Sequence, residues 1–299
     1  MVNPSVNPSS DSAAVVGVGA VGGVIAASLC EVGLEPLLAV RQPFPELSHT
    51  VAGTNARYTA KQVCDPAHAS EAKWVFLCTK AYQTAAVGAW LTALCAADTT
   101  VAVLQNGIQH AKRLQGICAP QQVLPVVVQM ACERDAPGQV TQTRPGKLLV
   151  PDSDAGRAFA QLFATARGFV VECATDFESV LWHKLALNAV CGGICALTIR
   201  RNEVLADAHV RALAVKMMHE VITVGEAQGA HFPADYIDRT LDMIAGPVAQ
   251  HWTSIAADRR NGLPLEWEVR NAVVGELGRQ HGIPTPLMDM VTTLLRVAK

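Results

Sequence analysis

The feature that most constrains this chain lies between Ala13 and Arg41. There a short apolar run meets a glycine-rich turn, a second run of small residues and then a further β-type run. Gly17-x-Gly19-x-x-Gly22 directly follows Ala13–Val16, and the spacing predicts a helix over 21–32. In that context each residue has a physical task. Gly17 permits a tight turn, Gly19 lets the backbone approach a pyrophosphate, and Gly22 lets the helix pack closely on the strand. Ala20 and Val21 complete the first helical turn, whose amides favour an anion. The segment therefore reads as the first half of a dinucleotide-binding βαβ unit. A membrane span competes with this, because the 18 residues from Ala13 to Cys30 carry no charge and Gly19-x-x-x-Gly23 fits a helix-packing motif. Four glycines, no leucine before Leu29 and no Lys or Arg within residues 1–12 argue against both a span and a signal peptide.

The end of the second strand selects the cofactor. A carboxylate there binds a ribose 2′-hydroxyl, whereas an arginine accommodates a 2′-phosphate. The sequence reads Leu37-Leu38-Ala39-Val40-Arg41-Gln42, with no carboxylate, so the expectation is NADP held by Gly17, Gly19, Ala20, Val21, Gly22 and Arg41. An ordinary solvated arginine is the plainer alternative for Arg41.

At 299 residues the chain is long enough for two domains. Half of its residues are hydrophobic, only 17% are charged and the net charge is −2, which gives no basic footprint for nucleic acid and no polybasic membrane anchor. Nine cysteines without a C-x-x-C pair argue against a disulfide framework and against a zinc ribbon, and suit buried thiols in a reducing, cytoplasmic setting. The nine histidines form no H-x-x-x-H pair, so no metal site is expected.

Residues 1–12 read as a frayed tail rich in Pro, Ser and Asn. Strand-like runs then alternate with helical ones: Ala13–Val18, Leu37–Val40, Trp74–Cys78, Val101–Leu104 and Pro125–Gln129, with helices predicted over Val21–Val32 and Thr84–Ala96. That alternation implies parallel strands joined by right-handed crossovers. Further strands are expected at Gln139–Thr143, Lys147–Val150 and Phe169–Glu172. After Thr175 the pattern becomes helical: Phe177–Val190, Asn202–Gln228, Ala234–Ile244, Leu265–His281 and Pro286–Val297, with a first break at Gly192-Gly193. The expected organisation is an α/β Rossmann-type dinucleotide-binding domain over 13–175 and an all-α substrate domain over 176–299.

Several polar residues interrupt apolar surroundings. Lys80 and Asn106 each follow an apolar strand, where ligands of open α/β sheets collect. A surface lysine at a helix start and a type I′ turn asparagine are the plainer readings. In Trp182-His183-Lys184-Leu185-Ala186-Leu187-Asn188, Lys184 and Asn188 share one face of a largely apolar helix, which suits a polar substrate bound in a cleft. The Gly192-Gly193 pair lets another backbone or a ligand come close. Glu266 and Arg270, four apart, read as a helix-surface ion pair, and Ser254 as a helix-cap hydroxyl.

Taken in order, these elements resemble the ketopantoate reductase family over nearly the whole folded chain. The pattern comprises Gly17–Gly22, Arg41 closing the second strand, Lys80, Asn106-Gly107, the segment Trp182 to Asn188, the stretch Ser254 to Asp258, and Glu266-Trp267-Glu268. Three departures fall on the substrate side: Gly192 where a second asparagine is usual, Trp267 in place of a smaller aliphatic, and Asn271-Ala272 where Asn-Gly is usual. The resemblance implies a C-terminal domain of the 6-phosphogluconate dehydrogenase type. It also implies NADPH-dependent reduction of a 2-keto acid, 2-dehydropantoate in pantothenate biosynthesis. On that reading Lys184 is the general acid. Asn106, Asn188, Ser254 and Lys80 hold substrate, Lys80 and Asn106 also approach the cofactor, and Glu266 binds a substrate hydroxyl or tunes Lys184. A related reductase for another branched keto acid, and an NADP-binding sensor without turnover, stay open. So does a homodimer.

Overall fold

The computed structural model describes residues 12–298; the tail expected over 1–12 falls outside them except for Ser12. Compactness divides the chain into two units, one of residues 1–105 and 109–177, the other of 106–108 and 178–299.

The first unit is organised by a six-stranded sheet. Its strands are β1 (Ala13–Val16), β2 (Leu37–Ala39), β3 (Lys61–Val63), β4 (Ala72–Leu77), β5 (Cys95–Val103) and β6 (Val123–Pro125). They lie side by side in the order β3-β2-β1-β4-β5-β6, and every neighbouring pair is parallel. This is the doubly wound order with its switch point between β1 and β4. Both faces of the sheet are covered, so the strands are apolar at consecutive positions instead of alternating. Ala13 and Val15 of β1 join one core with Trp74 and Phe76 of β4, while Ala14 and Val16 join a second core with Val75 and Leu77. The helix Ala20–Glu31 lies in the first core, with an aromatic group in which Phe159 and Phe163 stand 5.1 Å apart. The apolar, charge-free run from Ala13 is thus a buried strand, a turn and a buried helix.

Two smaller sheets complete the unit. One orders Cys132–Ala136, Gln139–Gln142, Leu47–Val51 and Thr54–Tyr58; the other orders Phe169–Ala174, Gly146–Pro151 and Val127–Gln129. Here the structure corrects two expectations. The run Pro125–Gln129 is two strands in different sheets, with Val126 between them. The stretch Thr84–Ala96 is a 3₁₀ turn, Ala85–Val87, followed by a short helix, Gly88–Leu94.

The second unit is helical. Phe177–Leu187 does not break at Gly192-Gly193: it runs through a wide π-turn, Asn188–Gly192, into Gly193–Thr198. Its end is closed by Ile199 in a left-handed conformation, and Arg259 donates to the Ala196 and Leu197 carbonyls at 2.6 and 2.8 Å. The run Phe177–Thr198 is long and apolar enough to cross a membrane by length and composition, and most of it is buried inside the unit. Ala208–Ala227, capped by Asp207, packs beside the π-turn. Glu220 of that helix accepts from the Leu287 and Met288 amides, both at 2.9 Å, holding the start of Pro286–Val297. A second π-turn, Glu268–Ala272, precedes Val273–His281 and lies against the first one.

Candidate active site

In the first unit the glycine loop is built by exclusion. Gly17 has φ +96°, and a Cβ there would lie 2.6 Å from Thr79 Cγ2 and 2.7 Å from the Thr79 amide nitrogen. A Cβ on Gly22 would sit 2.0 Å from the Gly17 carbonyl oxygen. Gly19 differs, because nothing lies within 4 Å of its Cβ position. It stands at the N-cap of Ala20–Glu31, where no side chain caps the amides and no acidic residue occupies the first turn. Open space over a glycine beside uncapped, partly exposed amides fits a pyrophosphate. Arg41 is exposed just past β2 and makes no ion pair with the described residues.

Past β4, Lys80 is half-buried and begins the 3₁₀ turn Ala81–Gln83. That loop is held by a residue the sequence reading missed. Buried Gln105 donates to Thr79 Oγ1 at 3.1 Å and to Thr84 Oγ1 at 3.0 Å, and its carbonyl accepts from His110 at 3.1 Å. A glutamine following an apolar strand carries no spacing signature, and only the fold brings these partners to it.

The second unit gathers the other polar residues into one connected chain. Asn188 Nδ2 donates to Asn106 Oδ1 at 3.3 Å, and Asn106 Nδ2 donates to Glu266 Oε2 at 2.9 Å. Glu266 Oε2 lies 3.5 Å from Arg270 Nη2, which donates to Ser254 Oγ at 2.8 Å. The turn at Asn106 is not type I′, since only Gly107 takes a positive φ, +89°, and such a turn needs both residues there. Thr253 is the N-cap of Ser254–Arg260; Ser254 follows it and spends its hydroxyl on Arg270.

The Glu266–Arg270 pair exists at i,i+4, but not on the surface. Its side chains are 2% and 1% exposed. Burial lowers the Arg270 pKa, opposed by the charges of Glu266 and Asp258. The paired glycines border this cluster. A Cβ on Gly192 would lie 3.2 Å from Ile255 Cγ2 and 3.6 Å from Arg270 Nη1, and one on Gly193 would lie 3.3 Å from Asn271 Nδ2. Side chains, not a backbone, fill the approach the glycines allow. Asn271 in turn donates to the Ala189 carbonyl at 2.8 Å, tying the two π-turns together.

Lys184 lies in this unit, on the helix that leads into the first π-turn. It is half-buried and makes no hydrogen bond or ion pair with the described residues. Burial, and then the positive charge of Arg270, bring its pKa down to about 8. Glu266 faces Arg270. The arrangement offers an ammonium whose proton is easily given up, beside donors and acceptors already oriented by one another. Among the described residues no His, Cys, Asp and Glu group could hold a metal ion.

A doubly wound parallel sheet with a glycine loop at its switch point, followed by a helical unit carrying a buried polar chain and a lysine of lowered pKa, defines a dinucleotide-binding oxidoreductase. The chain belongs to the ketopantoate reductase family: residues 13–155 match the family "Ketopantoate reductase PanE/ApbA" and 176–299 match its C-terminal region. It is 35% identical over 288 residues to a 2-dehydropantoate 2-reductase of Caulobacter vibrioides, covering 96% of this chain and 99% of that one. It is 34% identical over 292 residues to one of Mycobacterium tuberculosis, covering 95% and 97%. The solved 2-dehydropantoate 2-reductase of Geobacter metallireducens GS-15 superposes with a TM-score of 0.89 at 25% identity, covering 96% of this chain and 100% of that one.

Proposed function

We propose that this enzyme reduces 2-dehydropantoate to pantoate with NADPH, the first unit binding the cofactor and the second the substrate. The observation that carries this reading is Lys184, an ammonium of lowered pKa beside the connected chain from Asn188 to Ser254. The cofactor supplies a hydride to the carbonyl carbon when bound. Gly17, Gly19, Ala20, Val21 and Gly22 would hold its pyrophosphate and Arg41 its 2′-phosphate, with Lys80 as a further polar contact.

Lys184 hydrogen-bonds the ketone oxygen, stabilises the negative charge that develops there and delivers the proton. With a pKa of about 8 it is roughly nine-tenths protonated at pH 7 and is a stronger acid than a solvated lysine. Asn106 and Asn188 orient the substrate, Ser254 donates to it and Glu266 accepts from its hydroxyl. Nine unpaired thiols suit a reducing compartment, so we place the enzyme in the cytoplasm.

NADPH oxidation with 2-dehydropantoate, 2-ketoisovalerate, pyruvate and bulkier keto acids tests the reading. A site built to accept from the substrate hydroxyl should disfavour 2-ketoisovalerate, which lacks it, by about a hundredfold or more in kcat/KM. Parity between the two would refute the assignment of Glu266. Gly192 and Trp267 favour a second reading, a reductase of another branched 2-keto acid, and a higher kcat/KM for a bulkier analogue would select it.

A further inference from the structure

Arg270 is among the largest fully buried side chains of the described residues, and the mechanism above gives it only its charge beside Lys184 as a task. We propose that Arg270 is a positioning residue of the substrate site and that Gly192 is its packing partner. From beside the bare position 192 the guanidinium aims the Ser254 hydroxyl and the Glu266 carboxylate. The proposal rests on the reductase reading and deepens it by naming what the site selects.

The geometry argues as follows. A serine hydroxyl has one proton and two lone pairs. Because Ser254 Oγ accepts from Arg270 Nη2 at 2.8 Å, its own proton is turned away from the arginine, and Ser254 is exposed in its unit. Ser254 is thereby fixed as a donor, suited to a carboxylate or carbonyl oxygen. Glu266 Oε2, 3.5 Å from the same Nη2 and accepting from Asn106, presents an acceptor, suited to a hydroxyl. One planar fork thus sets a donor and an acceptor together, matching a hydroxylated acid.

Gly192 borders this guanidinium. A Cβ there would lie 3.2 Å from Ile255 Cγ2, a tight contact, and 3.6 Å from Arg270 Nη1, an ordinary van der Waals contact, so a longer side chain would compete with Ile255 and Arg270 for the same space. On this side of the site the polar group comes from residue 270. The charged groups concerned are Lys184, Arg270, Glu266 and Asp258.

The test compares Arg270→Lys, Arg270→Met, Gly192→Asn and the double variant Gly192→Asn/Arg270→Met. Keto-acid kinetics are measured with NADPH, and the pH dependence of amine labelling at Lys184 is followed without substrate or cofactor. Arg270→Lys keeps the charge but not the fork. It should raise KM for the keto acid about tenfold, change kcat by less than about threefold, and leave the Lys184 labelling pKa in place. Arg270→Met should raise that labelling pKa by about one unit. Gly192→Asn should raise KM to a similar extent, and the double variant should be no worse than either single change, because the asparagine then has room. An unmoved KM in Arg270→Lys, or single effects that simply multiply in the double variant, overturns the pairing. If Arg270→Met does not fold, Arg270→Lys and Gly192→Asn still decide it. If the unmodified enzyme reduces no keto acid, protection of Lys184 from labelling by added keto acid separates the two failures: protection that weakens about tenfold in Arg270→Lys sinks only the reductase reading, and unchanged protection sinks the positioning role.

Discussion

The glycine loop of the first unit and the Arg270 cluster of the second handle charge in opposite ways. The loop has no formal charge. It works by omission, with side chains removed at Gly17 and Gly22 so that the turn can close, and open space over Gly19 beside uncapped amides. The cluster instead buries Glu266 and Arg270 at 2% and 1% exposure and makes them tolerable by pairing. The loop is consequently cheap in stability and sensitive to bulk. The cluster is costly in stability, sensitive to charge, and able to depress the pKa of Lys184. Where an anion has only to be held, aligned backbone dipoles suffice; where a proton has to move, a protein needs charges kept out of water.

That contrast can be broken by experiment. Lys184→Ala should lower turnover by about 10²–10⁴-fold while changing NADPH affinity little, as read by steady-state kinetics and cofactor titration. Retained turnover would remove the lysine from the mechanism. In the same spirit, kcat/KM for reduction should fall as pH rises through about 8, where Lys184 loses its proton. Gly22→Ala should weaken NADPH binding by about a hundredfold, since the added carbon would meet the Gly17 carbonyl at 2.0 Å and displace the loop. Normal cofactor affinity in that variant would contradict the close packing.

Lys184→Met should be inactive yet more stable, by on the order of 2 kcal/mol at pH 7. The sign follows from linkage. The folded-state pKa of about 8 lies below the ordinary lysine value of 10.5, so between these the unfolded chain binds more protons and folding stability rises with pH. Below pH 8 the buried ammonium costs stability, and methionine removes that cost. Urea midpoints at pH 7 and pH 10 should therefore converge in the variant; a variant less stable than the parent would refute the desolvation account. The smallest effect is at the rim. Arg41→Ala should raise KM for NADPH about tenfold and leave that for NADH nearly unchanged. Equal changes for both cofactors would deny Arg41 the 2′-phosphate.

The same contrast explains what could be read from the amino-acid order. The loop was legible because its evidence is local: a strand before, a helix after, glycines at fixed offsets. Lys184 and Asn188 were legible for a similar reason, as polar residues on one stripe of an apolar helix. Arg270 was not. Spacing of four from Glu266 describes a surface pair and a buried pair equally, and the π-turn Glu268–Ala272 shifts the helical phase so that periodicity misassigns the face. The clue in the sequence was its company, a charge between Val269 and Asn271-Ala272-Val273-Val274. Gly192-Gly193 read as a break because glycine lowers helix propensity, yet packing against Ile255, Val291 and Asn271 holds the helix through it. Short strands such as Thr54–Tyr58, exposed and mostly polar, gave no alternation to find, and pairing with Leu47–Val51 creates them.

The apolar helix Phe177–Thr198 has a consequence for how the protein is made. The segments that pack most on its second half, in Ala208–Ala227, Ser254–Arg260, Glu268–Ala272 and Pro286–Val297, leave the ribosome after it. The first unit is nearly complete when this helix emerges, so one half of the nascent chain is folded while the other displays its greasiest segment uncovered. Val291 and Leu295, buried on Pro286–Val297 and standing over Gly193, follow it by about a hundred residues. Closure of the second unit therefore waits for Pro286–Val297, and a ribosome stalled anywhere between Thr198 and Pro286 holds a ready client for a chaperone.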